Sequence, residues 1–197
     1  MNTPIIMETN IQEVGKKLAI LRERNEKRVH IDIGDGLFSD MFSIAPADLQ
    51  ELDLSGLEID LHLLVDDPTE WIEESVALSP KRLIGQIERM GSQANYIENV
   101  LSYGIVAGLA LKIETPIEEI EAEVLDKCGV ILLLAVPAGS SGSKFDERVL
   151  PKIAELRKVY HGSILIDGGI NKDTSKKVMA SGGTETGANS AYWRGEM

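Results

Sequence analysis

One cysteine, Cys128, stands among 197 residues. No intrachain disulfide can form, and a reducing compartment is expected. Aromatic residues are scarce at 5%, which leaves aliphatic side chains to fill a core. Positive charge is in short supply too: 20 Lys and Arg against 32 Asp and Glu give a formal net charge of −12. That balance speaks against nucleic acid, whose phosphates call for a clustered basic surface, and against an anionic membrane. A small phosphorylated ligand remains compatible, because backbone N–H groups can hold a phosphate locally. No apolar run approaches the ~20 residues of a membrane span. The opening "MNTPIIMETN" lacks the basic region and long apolar stretch of a signal peptide. A cytoplasmic protein is expected.

What is present is an alternation. Short apolar runs read as buried strands: "PIIM" (4–7), "VHIDI" (29–33), "IDLHLLV" (59–65), "RLIGQI" (82–87), "GLALKI" (108–113), "GVILLLAV" (129–136) and "SILID" (163–167). Amphipathic segments lie between most of them. Ile11, Val14, Leu18 and Leu21 recur at helical spacing, as do Val149, Ile153, Leu156 and Tyr160. "DPTE" offers Asp67 as N-cap with Pro68 and Glu70 behind it, and "TPIE" repeats the arrangement with Thr115, Pro116 and Glu118. Gly182 follows "KKVMAS" as a C-cap. Strands alternating with helices predict a parallel α/β fold, and near-continuous apolar runs suit strands covered on both faces. An open doubly wound sheet and a closed (β/α)₈ barrel both fit. A dinucleotide-type glycine fingerprint would favour the open sheet, and none follows the first strand. With no linker, low-complexity tract or solenoid repeat, residues 1–197 read as one domain.

Polar residues interrupt two of these strands. Residues two apart on a strand share a face, so His30 projects with Asp32, and Asp60 with His62. Asp167 ends a third strand, just before Gly168 and Gly169. The C-terminal strand ends of a parallel α/β protein lie on one side, where sites assemble. His30, Asp32, His62 and Asp167 therefore converge in expectation, and two imidazoles with two carboxylates suit Zn²⁺, Mn²⁺, Fe²⁺ or Co²⁺. Each piece has a plainer reading. A lone histidine in an apolar strand is more often a hydrogen-bonded core residue, and Asp35 in "GDG" can simply shape a turn. His161, in "YHGS", reads as solvated. "PAGSSGSKF" (137–145) is no Walker loop, since Lys144 lacks the required spacing from a glycine. By composition it is a flexible connection. Near a substrate, it and "DGGIN" would both offer unhindered N–H groups to a phosphate.

Taken in order, "HIDIGDGLF", "DLHLLVDDP", "GLALKIETPIEEI", "LLLAVPAGSSGSKFDERVLPKIAELRK" and "ILIDGGINKDTSKK" resemble the ribulose-phosphate 3-epimerases over nearly the whole length. The resemblance implies a (β/α)₈ TIM barrel and a sugar-phosphate substrate. It implies one divalent ion (Zn, Fe, Mn or Co) on His30, Asp32, His62 and Asp167, with Asp32 and Asp167 as the acid/base pair on opposite faces of the sugar. Phosphate binding would fall to backbone groups of Gly139, Gly142, Gly168, Gly169, Asn189 and Ser190, and the protein would be a homo-oligomer. Departures are equally legible. "IIMETN" lacks the family's serine after the first strand, and Gly34, Leu64 and Leu134 stand where methionines line the site. Gln86 replaces a histidine on the fourth strand, and "GSSG" lacks the aromatic of the sixth loop. The eighth strand, within "TETGANSAYW", is atypical because Glu185 needs an exit or a partner if the barrel closes. The C-terminal end is shortened relative to the family's final helix. Two other readings remain open: the same chemistry on a six-carbon ketose phosphate, and a non-catalytic sugar-phosphate-binding barrel.

Overall fold

The computed structural model describes residues 2–197. Eight parallel strands close on themselves in sequence order: β1 Asn2–Ile6, β2 Arg28–Gly34, β3 Glu58–Leu64, β4 Arg82–Gln86, β5 Val106–Leu111, β6 Val130–Leu134, β7 Ser163–Asp167 and β8 Glu185–Ala188. The helices are α1 Ile11–Glu23, α2 Pro46–Leu49, α3 Ile72–Val76, α4 Gln93–Ser102, α5 Val149–Val159, α6 Lys172–Ala180 and α7 Ser190–Trp193. This is a (β/α)₈ TIM barrel. All seven expected strands form, and β8 lies within the atypical "TETGANSAYW".

The strands are apolar on both faces because both are covered. Ile31, Leu61, Leu83 and Leu109 pack outward against the helices, while Ile84, Val130, Leu132 and Leu165 fill the lumen. Val14, Leu18 and Leu21 on α1, and Val149, Ile153 and Leu156 on α5, form the buried stripes their spacing foretold. Asn10 starts α1 by accepting from the Gln12 amide at 2.8 Å. Gly182, just beyond α6, has φ +101 and serves the terminating role expected of it. The lone thiol of Cys128 is buried, and burial pushes its pKa up to about 11. That environment makes it a packing residue and not a nucleophile.

Two helix starts turn out differently. Asp67 does cap, accepting from the Thr69 amide at 2.9 Å, but the segment it opens is a single tight turn, Pro68–Trp71, leading into α3. After β5 no α-helix forms, and two short turns, Ile117–Glu119 and Ala122–Val124, take its place. The Thr115 hydroxyl, expected to cap there, instead donates to Glu88 Oε1 at 2.7 Å. The turn that follows starts from Pro116 and has no side-chain cap.

Closure through β8 solves a charge problem. Glu185 points into the lumen, where its side chain is 10% exposed. Arg82 reaches it from β4, on the opposite side of the eight-strand ring, and donates through both terminal nitrogens at 2.8 Å. Arg28 Nη1 lies 3.5 Å from the same carboxylate. Asp60 Oδ2 sits 3.8 Å from Arg28 and 3.7 Å from Arg82. Two arginines thus face these two buried acids at the N-terminal end of the lumen, and Arg28 also donates to Glu58 at 2.9 Å. At the other end of β8, α7 docks onto the barrel. Trp193 Nε1 donates to the Ile5 carbonyl at 2.7 Å, Tyr192 donates to Glu26 at 2.8 Å, and the Lys17 ammonium lies 4.6 Å from the Trp193 ring centroid.

Removing one partner of a buried ion pair strands the other charge, at a cost of about 3 kcal/mol or more. Glu185→Gln is therefore expected to lower thermal stability at neutral pH. Burial alone would raise the Glu185 pKa, but its hydrogen bonds and the Arg82 charge hold it below the ordinary value. The stabilisation is then present above the unfolded pKa and is lost as pH falls through the folded one. The gap between wild type and variant should close in acid. A pH-independent gap in calorimetric melting would contradict this assignment.

Candidate metal and catalytic site

At the C-terminal end of the lumen, β2, β3 and β7 bring His30, Asp32, His62 and Asp167 together. One donor atom from each lies within 4.8 Å of the others. Alternation puts them there: His30 and Asp32 are two apart on β2, and Asp32 is in register with His62 on β3. His62 Nδ1 is 2.9 Å and His30 Nε2 3.2 Å from Asp32 Oδ1. Both imidazoles are fully buried. Asp60, the other polar residue of β3, belongs instead to the charge cluster beneath.

The neighbours drive the two carboxylates apart. For Asp32, burial works upward, but hydrogen bonds and charge from His30 and His62 outweigh it and hold the group below the usual carboxylate range. For Asp167, burial comes first and the Asp32 charge second, and together they raise it to about 7. Burial lowers His62. It also opposes charge on His30, but the hydrogen bond to Asp32 and the charges of Asp32, Asp167 and Asp60 prevail and raise that pKa. Two imidazoles and two carboxylates at this spacing fit a borderline divalent ion, whose bonds to N and O run about 2.0–2.2 Å. The orphaned His30 Nδ1, buried without a partner, leaves that ring's contacted nitrogen as the one facing the cluster.

Above these groups opens a cleft of ≈480 Å³, counting its mouth. Asp32 and Asp167 reach its floor, whereas the two histidines lie beneath. Gly139, Gly142, Gly168, Gly169, Asn189 and Ser190 all line it, so every residue expected to hold phosphate borders the same space. Gly169 has φ +65, and a Cβ there would strike the Phe145 backbone; the close approach of the two loops demands glycine. Met7, from the serine-free stretch after the first strand, lines the cleft together with Leu64 and Leu134. His161 is exposed and takes no part.

The loop after β2 supplies parts that strand patterns did not reveal. Phe38 and Met41 pack with Leu64 and Leu134 in the inner apolar cluster. A side chain on Gly34 would collide with Met41, so a methionine does sit near that position, delivered from seven residues further on. Asp35 shapes the loop by accepting from the Leu37 and Phe38 amides at 2.8 and 3.1 Å, and it also ties down the Asp66 amide at 2.7 Å. Its placement after the strand, with glycine on either side, was the only sequence sign of this role.

The family model described as "Ribulose-phosphate 3 epimerase family" matches residues 2–192. The chain belongs to that family. Among its members, the ribulose-phosphate 3-epimerase of Bacillus subtilis is 28% identical, with 96% of this chain and 90% of that protein covered. The enzyme of the same name from Chlamydia muridarum is 29% identical over 91% and 82%. Outside the family's own sequences, the chain is similar in fold to N-acetylmannosamine-6-phosphate 2-epimerase from Clostridium perfringens. The TM-score there is 0.65 at 12% identity, covering 96% of this chain and 85% of that one. Among the described residues, no helix is long and apolar enough to cross a membrane.

A ligand set that includes Asp167 must shed that residue's proton on binding metal. Affinity for Zn²⁺ or Mn²⁺ is accordingly expected to rise with pH through about 7 and to level off above it. Saturating metal should raise the melting temperature, by roughly 2.7 kcal/mol of stabilisation at a hundredfold excess over Kd. Titration calorimetry across that pH range, repeated on His62→Ala, checks both. Equal binding by the variant would remove His62 from the site.

Proposed function

We propose that the protein is a metal-dependent 3-epimerase that interconverts D-ribulose 5-phosphate and D-xylulose 5-phosphate. The observation that carries this reading is the pair of acids, Asp32 and Asp167, delivered by different strands to the floor of one cleft. Epimerising a carbon beside a ketone requires one group to take a weakly acidic proton and another to return a proton to the opposite face. A sugar-phosphate binder has no need of two such acids. Membership in the epimerase family supports the same chemistry.

Asp32, held ionised by its histidine neighbours, is the natural proton acceptor. Asp167, poised near neutrality, is the natural donor, and the reverse reaction exchanges their roles. A divalent ion held by His30, Asp32, His62 and Asp167 would supply positive charge beside the sugar's oxygens as negative charge develops there. His30 and His62 complete its donor set and orient Asp32 through the contacts at 3.2 and 2.9 Å. Backbone N–H groups of Gly139, Gly142, Gly168, Gly169, Asn189 and Ser190 hold the phosphate at the far end of the cleft and fix the register of the sugar. Leu64, Leu134 and Met7 provide apolar walls that exclude water from the reacting carbon.

Ribulose 5-phosphate followed by proton NMR in D₂O tests the proposal. Deuterium at C3 together with xylulose 5-phosphate is expected from the Zn-, Fe-, Mn- or Co-loaded protein. Asp32→Asn and Asp167→Asn should each cut the rate by roughly 10²–10⁴-fold or more while the fold persists. Exchange confined to a six-carbon ketose phosphate would transfer the chemistry to that substrate. Silence with all four metals and both sugar lengths would favour the binding barrel.

A further inference from the structure

The outer nitrogen of His62 is held by a chain of hydrogen bonds that extends beyond the ligand set. His62 Nε2 lies 2.9 Å from the Gln86 side-chain amide, at the end of β4. That amide has two other neighbours, the Ala110 carbonyl at 3.1 Å and Glu88 Oε2 at 2.9 Å. Both are acceptors, so the NH₂ group must face them and the oxygen must face His62. The opposite orientation would set oxygen against oxygen twice in a buried environment, where unmade hydrogen bonds cost most. Glu88 is fixed in its turn. Its Oε1 accepts the Lys112 amide at 2.6 Å and the Thr115 hydroxyl at 2.7 Å.

With the Gln86 oxygen facing it, Nε2 is the nitrogen of a neutral His62 that carries the proton. Nδ1 then turns a lone pair toward Asp32 Oδ1, 2.9 Å away. The hydrogen bond from His62 to Asp32 described above needs a proton on Nδ1, which a ring so held carries only as the imidazolium; in the neutral ring a lone pair faces the carboxylate until a metal cation stands between them. We infer that Gln86 is a positioning residue, locked by Glu88, which selects the His62 tautomer whose Nδ1 is free to bind metal. The inference rests on the metal-site reading above. A donor that fixes the far nitrogen is what a ligating imidazole requires. Here a neutral amide provides it, relayed to a carboxylate anchored in the loop after β5.

The test begins with the protein unaltered. Long-range ¹H–¹⁵N correlation of metal-free protein at mildly alkaline pH, with His62 assigned by comparison with His30→Gln, reads the tautomer directly. The Nε2–H form is expected, and the Nδ1–H form would overturn the inference. In Gln86→Leu the proton should move to Nδ1, toward Asp32, and Zn²⁺ affinity should fall roughly 10- to 100-fold. An unchanged tautomer with affinity within threefold of wild type would also overturn it. In Glu88→Ala the Gln86 amide keeps the Ala110 carbonyl but loses its second acceptor, so the Nε2–H form should become partial and Zn²⁺ affinity should fall. A wild-type tautomer and affinity in a variant with wild-type circular dichroism would exclude the Glu88 relay. None of these readouts uses the sugar. The Nε2–H form without sugar exchange would remove the epimerase reading alone, and exchange with the Nδ1–H form would remove this one alone.

Discussion

The two-pronged pairing of Arg82 with Glu185 is the interaction on which the molecule depends. β8 is only Glu-Thr-Gly-Ala, with too little apolar surface to be drawn into the barrel by burial alone. What secures it is a counter-charge reaching across the lumen from β4. Closure does more than complete a ring. It pairs Gly187 with Asp167 and places Asn189 and Ser190 at the rim of the cleft. Without β8, Asp167 would sit on an open edge and the expected phosphate pocket would lack one wall.

The lumen is divided lengthwise. Strands β5 to β7 contribute chiefly Ala110, Val130, Leu132, Leu134 and Leu165, joined by Leu64 and Ile84. Strands β2 to β4 and β8 contribute most of the polar groups, Arg28, His30, Asp32, Asp60, His62, Arg82, Gln86 and Glu185, and Asp167 joins these from the end of β7. The polar half holds two sets of charges. The lower set pairs two guanidiniums with Asp60, Glu185 and the more exposed Glu58. The upper set has an excess of acid, and desolvation with mutual repulsion separates Asp32 from Asp167. The same low-dielectric surroundings that make the lower pairing tight make the upper imbalance chemically useful.

Much of this was legible in the residues. Period-two spacing put His30 with Asp32 on one face, and apolar runs fixed the positions of seven strands. What escaped had non-local causes. Asp60 shares a face with His62, yet its partners are arginines on β2 and β4, and no local pattern announces a contact made across a barrel. Thr115 looked like a helix cap because "TPIE" is a cap in isolation, but Glu88, 27 positions earlier, holds the hydroxyl. The strand of Glu185 could not be read from periodicity, since its stability lies in Arg82, 103 positions away. The convergence of His30, Asp32, His62 and Asp167 was readable because it is local to strand ends. Charge compensation was not, because it is a property of the closed ring.

Met41 fills space that a side chain at Gly34 would claim, and with Phe38 it is carried on a loop, whereas His30 and Asp32 are carried on the strand before it. Shape and reactivity are therefore written in different stretches of the chain. Residues 37–42 carry that shape, whereas Ser43 closes the loop by binding the Gly34 amide and the Asp32 carbonyl at 2.9 and 3.1 Å and belongs with the strand. On the proposed function, editing that loop would change which sugar phosphate is admitted while the strand-borne acids stay where they are. Selectivity would then be a replaceable fitting on a fixed frame.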